Sequence, residues 1–124
     1  MNPSVLVIDD ELVTRRVVMH TLKSIQIDVV DAVNAAHALE IARDHHFNLM
    51  LVDINLPDMD GFTLINHLKQ FEHLRDTPAI VFTARNNPND DLRTAEVGAV
   101  DLLYKPFSTQ ELRDRVLRNM TINE

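Results

Sequence analysis

The chain has 124 residues, 45% apolar and 25% charged, with a formal net charge of −7 and a pI near 5.2. That length is one domain's worth with enough apolar residue for a core, and the acidic balance argues against direct binding of nucleic acid or an anionic membrane. There is no cysteine for a disulfide or thiolate site, the first ten residues are too acidic for a signal peptide, and no apolar run approaches the ~20 residues of a membrane span, so a soluble cytoplasmic protein is expected.

V-L-V-I at 5–8 is continuously apolar and of strand length, which predicts a strand covered on both faces. It runs into Asp9-Asp10, with Glu11 following. Val13, Val17 and Leu22, with Val18 or Met19 beside them, recur at helical spacing and predict the inward face of a first helix. D-V-V-D-A-V at 28–33 predicts a weaker second strand nearer a sheet edge. Ala35, Ala38, Leu39 and Ala42 predict a second helix whose small residues allow close approach to a sheet. His45-His46 stands at its end, where a cation complements the helix dipole.

L-M-L-V at 49–52 predicts a third strand, ending at Asp53, and Phe62, Ile65 and Leu68 mark a third helix. A-I-V-F at 79–82 predicts a fourth strand that runs into Thr83-Ala84. Asn87-Pro88, an N-cap followed by proline at the first helical position, opens a fourth helix that ends at Gly98. D-L-L-Y at 101–104 predicts a fifth strand, again a weaker one, which runs into Lys105-Pro106. S-T-Q-E at 108–111 is a capping box for a fifth helix that buries Leu112, Val116 and Met120.

Strand and helix therefore alternate five times. Right-handed crossovers turn that order into a doubly wound, flavodoxin-like α/β three-layer sandwich with parallel strand order 2-1-3-4-5, one domain over residues 1–124. Chemistry in such folds collects at the carboxyl ends of the strands. Asp9, Asp10, Asp53, Thr83 and Lys105 all fall at that edge. Crowded carboxylates call for a compensating cation, and a ligand set of oxygen alone suits Mg²⁺. An ammonium and a hydroxyl opposite them would complete a clamp for a phosphoryl group, with a carboxylate as nucleophile. Each residue alone has a plainer reading: Asp9-Asp10 as a helix cap, Asp53 as a loop acid, Thr83 as a strand end, Lys105 as a surface lysine. Chance accounts poorly for all of them on one edge.

V-L-V-I-D-D at 5–10, L-V-D-I-N-L-P-D-M-D-G at 51–61, V-F-T-A at 81–84 and Y-K-P-F at 104–107 together resemble the response-regulator receiver domain of two-component signalling. The resemblance runs from about Val5 to the fifth helix with the expected spacing. It implies that Asp53 accepts a phosphoryl group from a sensor histidine kinase, a histidine phosphotransfer protein or a small phosphodonor. Asp10, Asp53 and the backbone carbonyl of Asn55 would bind Mg²⁺ directly, with Asp9 acting mainly through water. Thr83 and Lys105 would contact the phosphoryl oxygens, a cis Lys105–Pro106 bond would aim the lysine inward, and Pro57 and Gly61 fit the loop after the acceptor. Phosphorylation adds roughly −1.5 to −2 charge. The fourth helix, fifth strand and fifth helix would then carry the signal to a downstream protein or a tethered output domain. Such a domain promotes only its own phosphorylation and dephosphorylation.

Leu102 departs from the family pattern, because it stands where the usual switch aromatic lies, three residues before the lysine. Tyr104 is one residue before it, on the same side of the strand as Leu102 and a step further along. A different side-chain toggle, with loop and backbone movement, is therefore expected. Asn55 and Arg85 are expected to tune the lifetime of the phosphoryl group, and Ala84 leaves its site open. Asp101, Arg93, Arg113 and Arg115 resemble in part the set through which some receivers form homodimers by their α4-β5-α5 face; solvated helix charges are the competing reading. His20, His37, His67 and His73 show no ligand spacing.

Three other classes stay open at this point. An inactive docking pseudo-receiver would not need all the acids with Thr83 and Lys105. A Mg²⁺-dependent aspartyl-phosphate phosphohydrolase usually has a second acid two residues after its nucleophile, where this chain has Asn55. A flavodoxin-like electron carrier wants a glycine- and hydroxyl-rich phosphate loop after strand one, where D-D-E has the wrong charge.

Overall fold

The computed structural model describes residues 2–84 and 88–120. Five strands alternate with five helices: β1 (Ser4–Ile8), α1 (Leu12–Lys23), β2 (Asp28–Ala32), α2 (Ala35–Ala42), β3 (Leu49–Asp53), α3 (Gly61–Leu68), β4 (Ala79–Thr83), α4 (Pro88–Glu96), β5 (Asp101–Tyr104) and α5 (Thr109–Asn119). All strand pairs are parallel, in the order β2-β1-β3-β4-β5. This is the architecture that the alternating pattern predicts.

Why the central strands lack polar alternation is now visible. Leu6, Ile8, Met50, Val52 and Val81 point to one face of the sheet and pack with Ala35, Ala38, Ala42, Phe62, Ile65 and Leu68 of α2 and α3. Val5, Val7, Leu49, Leu51, Ile80 and Phe82 point to the other and pack with Val18, Leu22, Leu112 and Val116 of α1 and α5. Both faces of such a strand are covered, so its run is continuously apolar until the carboxyl end, where Asp53 and Thr83 stand. At roughly 1.5–3 kcal/mol for each large apolar side chain removed from water, these two layers are the main source of stability.

The inward face of α1 differs from expectation. Val13 is 73% exposed and Val17 37%, whereas Val18 and Leu22 are fully buried, together with most of Arg15 and Thr21. The buried stripe is Arg15, Val18, Leu22, one residue out of phase with the apolar spacing that Val13 and Val17 suggested. Arg15 is drawn inward by polar partners described below, and its burial sets the rotation of the helix.

Local signals otherwise hold. Ser108 Oγ accepts the Glu111 N–H at 3.0 Å, capping α5, and Met120 is buried past its end. Gly98, with φ +74°, follows α4 in the left-handed conformation that glycine adopts without strain. The His45 ring nitrogen lies 2.9 Å from the Ile41 carbonyl at the end of α2. The expected N-cap Asn87 lies outside the described residues. Among the described residues, no helix is long and apolar enough to cross a membrane.

Candidate functional site

The parallel register carries four chain positions to one edge. Ile8 is aligned with Val52, Asp53 with Phe82, and Thr83 with Tyr104. The residues that follow, Asp9, Asp53, Thr83 and Lys105, thus step across the carboxyl ends of β1, β3, β4 and β5. Sequence separation is irrelevant to this convergence; strand register alone makes it.

Asp9 is fully buried. Its backbone N–H still reaches the Ala32 carbonyl at 3.2 Å, extending the β1–β2 ladder. One carboxylate oxygen accepts the Glu11 N–H at 2.8 Å, and the other accepts from the Lys105 ammonium at 2.7 Å. Asp53 is 4% exposed, and one of its oxygens accepts the Asn55 N–H at 3.2 Å. Asp10 is exposed, and one oxygen from each of Asp9, Asp10 and Asp53 lies within 4.8 Å of the others. Among the described residues this is the only such group of potential metal ligands, and its all-oxygen chemistry fits a hard divalent cation.

Lys105 stands among three carboxylates: Asp9 at 2.7 Å, Glu11 at 2.9 Å and Asp53 at 3.5 Å. The Lys105–Pro106 bond is cis, and Pro106 itself is exposed. Burial raises the Asp53 pKa above the ordinary carboxylate value, and the Asp9 and Asp10 charges add to it; Lys105 and the Asn55 N–H oppose the rise without cancelling it. For Lys105 burial works against the charged form, yet hydrogen bonds to Asp9 and Glu11 and the nearby Asp53 charge hold its pKa above the usual lysine value. An acid held high in this way gains most from any further positive charge.

The loop after Asp53 is fastened at several points. Gly61 packs so closely that a Cβ there would lie 2.3 Å from the Asp53 carbonyl oxygen. Asp58 accepts the N–H groups of Ala35 and Ala36 at the start of α2, and these bonds hold its carboxyl below the usual range. Asp60 caps α3 through the Phe62 N–H at 2.7 Å and pairs with Arg93 of α4 at 2.7 Å, while the Arg93 guanidinium lies 4.5 Å over the Phe62 ring.

On the far side of Asp53, Thr83 is fully buried and its hydroxyl donates to Asp90 of α4 over 3.4 Å. Ala84 is exposed and lines a groove with Glu11, Val17, Lys105 and Phe107. Leu102 is half-buried against the α2–α3 layer, and Tyr104 is 37% exposed. Arg85 lies outside the described residues. Of the four charges compared with a dimerising set, Asp101 and Arg115 pair with each other at 2.6 Å, Arg93 pairs with Asp60, and Arg113 donates to Gln110. His73 contacts the Ala42 carbonyl at 2.6 Å, a structural role at the opposite end of the sheet.

Sequence reading missed Glu11 as a lysine partner, and it missed Arg15 and Asp90. Arg15 donates to the Asp9 backbone carbonyl and, through Nε, to Asp31 of β2, both at 2.9 Å. Its signal was available, since Arg15, Val18 and Leu22 share a helical stripe. Nothing in the local pattern marks Asp90.

The family model for the response regulator receiver domain matches residues 5–117. The aerobic respiration control protein ArcA of Escherichia coli (strain K12) is 35% identical over 124 residues, covering 98% of this chain and 50% of that protein. The chain spans about half the length of the curated relatives it matches. Among solved structures, the chemotaxis protein CheY4 of Vibrio cholerae superposes with a TM-score of 0.92 at 28% identity, covering 96% of this chain and 99% of that one. The receiver domain of the sensor histidine kinase PA1611 from Pseudomonas aeruginosa PAO1, with a magnesium ion coordinated in its active site cleft, gives 0.86 at 26% identity, covering 96% and 98%.

Proposed function

We propose that this chain, which belongs to the response regulator receiver domain family, is a phosphorylation-dependent switch with Asp53 as its phosphoacceptor. The observation that carries this reading is a nearly buried acid whose carboxylate lies beside Asp9 and Asp10 and 3.5 Å from the Lys105 ammonium. An Asp53 oxygen attacks the phosphorus of a phosphohistidine on a histidine kinase or phosphotransfer protein. The new O–P bond forms as the P–N bond breaks, and the electron pair of that bond leaves with the imidazole.

Asp10 and Asp53, the backbone carbonyl of Asn55, and Asp9 mainly through water would hold Mg²⁺. The bound cation supplies positive charge for the crowded acids and the phosphoryl oxygens. Lys105 exchanges part of its contact with Asp9 for one phosphoryl oxygen, and Thr83 donates its hydroxyl proton to another. Asn55 and Arg85 tune its hydrolysis, and the small Ala84 leaves its site open. The domain acts in the cytoplasm and catalyses no reaction other than its own phosphorylation and dephosphorylation. Its α4-β5-α5 face works on a partner protein or on an output domain of a longer regulator, and homodimerisation through that face would require Arg93, Asp101 and Arg115 to exchange their internal partners.

The test is intact mass after incubation with acetyl phosphate and Mg²⁺. Wild type gains one phosphoryl group and Asp53→Asn gains none. Absence of any gain in the wild type would leave a docking domain without phosphoryl chemistry.

A further inference from the structure

We propose that Asp90 is a resting partner of the Thr83 hydroxyl, and that phosphorylation moves α4 by taking that hydroxyl away. This rests on the phosphoacceptor reading above and names the side-chain event through which that site is read.

Thr83 ends β4, one residue past Phe82, which is aligned with Asp53 across the β3–β4 ladder. Its side chain is fully buried, and the hydroxyl spans 3.4 Å to Asp90 Oδ2, a long hydrogen bond with room to be exchanged. Asp90 is itself only 4% exposed. Its backbone carbonyl accepts the Thr94 hydroxyl at 2.6 Å, so Asp90 and Thr94 form the inward side of α4 beside the site.

A threonine hydroxyl has one proton to donate. It can give that proton to Asp90 or to a phosphoryl oxygen on Asp53, never to both. Once the phosphoryl group takes it, the buried Asp90 carboxylate loses this donor and faces a new anion across the same hydroxyl. Both changes disfavour the resting position of Asp90 and push the first turn of α4 outward. Leu102, at the position of the usual switch aromatic, has no polar side-chain atom to take part. Among the described residues, a polar link from the Thr83 hydroxyl leads to α4.

One turn along α4, Arg93 fastens the helix to Asp60 and Phe62 at the start of α3. A shift of Asp90 therefore loads a tie between α4 and α3, and Asp90 acts as a positioning residue that works through Thr83 without touching the transferred group.

Amide spectra of α4 are recorded with Mg²⁺, with and without beryllofluoride as the phosphoryl stand-in, for wild type, Asp90→Ala and Asp90→Asn. Acetyl phosphate labelling is followed by mass on the same samples. In the wild type, beryllofluoride shifts the amides of residues 89–96. In Asp90→Ala those amides already lie toward the bound positions before beryllofluoride is added, and the remaining shift falls severalfold. Asp90→Asn, which keeps an acceptor and loses the charge, falls between the two and carries the measurement if the alanine variant does not fold. A purely structural role for Asp90 would lower the melting temperature of free and bound forms alike and leave the α4 response at its wild-type size; that result overturns the proposal. A wild type that takes no label from acetyl phosphate overturns the phosphoacceptor reading itself. A labelled wild type with an Asp90-independent α4 response overturns only the coupling.

Discussion

The Lys105 ammonium lies 2.7 Å from an oxygen of the buried Asp9 and 3.5 Å from the nearest oxygen of Asp53. Without a phosphoryl group, the cation of the site is committed to a flanking acid and only leans toward Asp53. Three of the four acids at this edge share one ammonium, an arrangement stable enough to fold and short of positive charge.

Replacing Lys105 by Met strands the Asp9 carboxylate. Removing one partner of a buried pair costs roughly 3–5 kcal/mol, and the lower end applies here because the lysine is partly open to water. Urea denaturation in a chelator measures the loss. Added Mg²⁺ should recover part of it, because a divalent ion supplies the missing charge. A Lys105→Met variant as stable as wild type in the chelator would show that the pair contributes nothing net.

Asp53→Asn should stabilise the metal-free domain at neutral pH. The folded-state pKa of Asp53 lies above its ordinary value of 3.8, chiefly through burial, so ionising it costs stability. That cost is absent well below pH 3.8, grows as pH rises from there to the folded-state pKa, and is complete above it. The gain in melting temperature from the substitution should follow the same course, vanishing in acid. A gain of equal size at every pH would assign it to packing and not to charge.

Arg15→Ala removes donors from the Asp9 carbonyl and from Asp31, both held at 2.9 Å. Loss of these bonds should cost about 1–3 kcal/mol. It should also weaken Mg²⁺ binding, since the β1–α1 turn carrying Asp9 and Asp10 loses its anchor. Arg15→Lys keeps the charge without the fork geometry and should recover only part of either property. Magnesium titrations followed by calorimetry separate the two effects; unchanged affinity in a destabilised Arg15→Ala protein would confine the residue to stability.

Gly61→Ala forces a Cβ to within 2.3 Å of the Asp53 carbonyl oxygen, backbone that cannot turn aside. Overpacking of this kind costs typically about 1–3 kcal/mol. Because the displaced atom belongs to Asp53, acetyl phosphate labelling should slow as well, even at temperatures where the variant is fully folded. Labelling at the wild-type rate would mean that the loop absorbs the methyl without moving the acceptor.

The five strand–helix units were legible in the chain because burial on both faces writes itself as continuous apolar runs, at Val5–Ile8, Leu49–Val52 and Ala79–Phe82. The site edge was legible for a related reason: parallel strands in register bring their carboxyl ends together, so Asp9, Asp53, Thr83 and Lys105 had to meet. Local periodicity stops short of two other things. It leaves the rotation of a helix uncertain by one residue, ~100° of turn, when apolar and polar side chains compete for the inner face. Val13 and Val17 looked inward by that measure, and Arg15 took the place because polar partners just past β1 and on β2 waited for it. Nor does periodicity name partners across the fold. Lys105 and Asp9 are 96 positions apart, and Asp90 reaches Thr83 only because α4 lies against the end of β4. The amino-acid pattern thus determined the layers and the edge where chemistry gathers, since these follow from burial and register. Which charges pair there, and which hydroxyl is held by which acid, was decided by tertiary packing, since those bonds depend on distances that no local pattern contains.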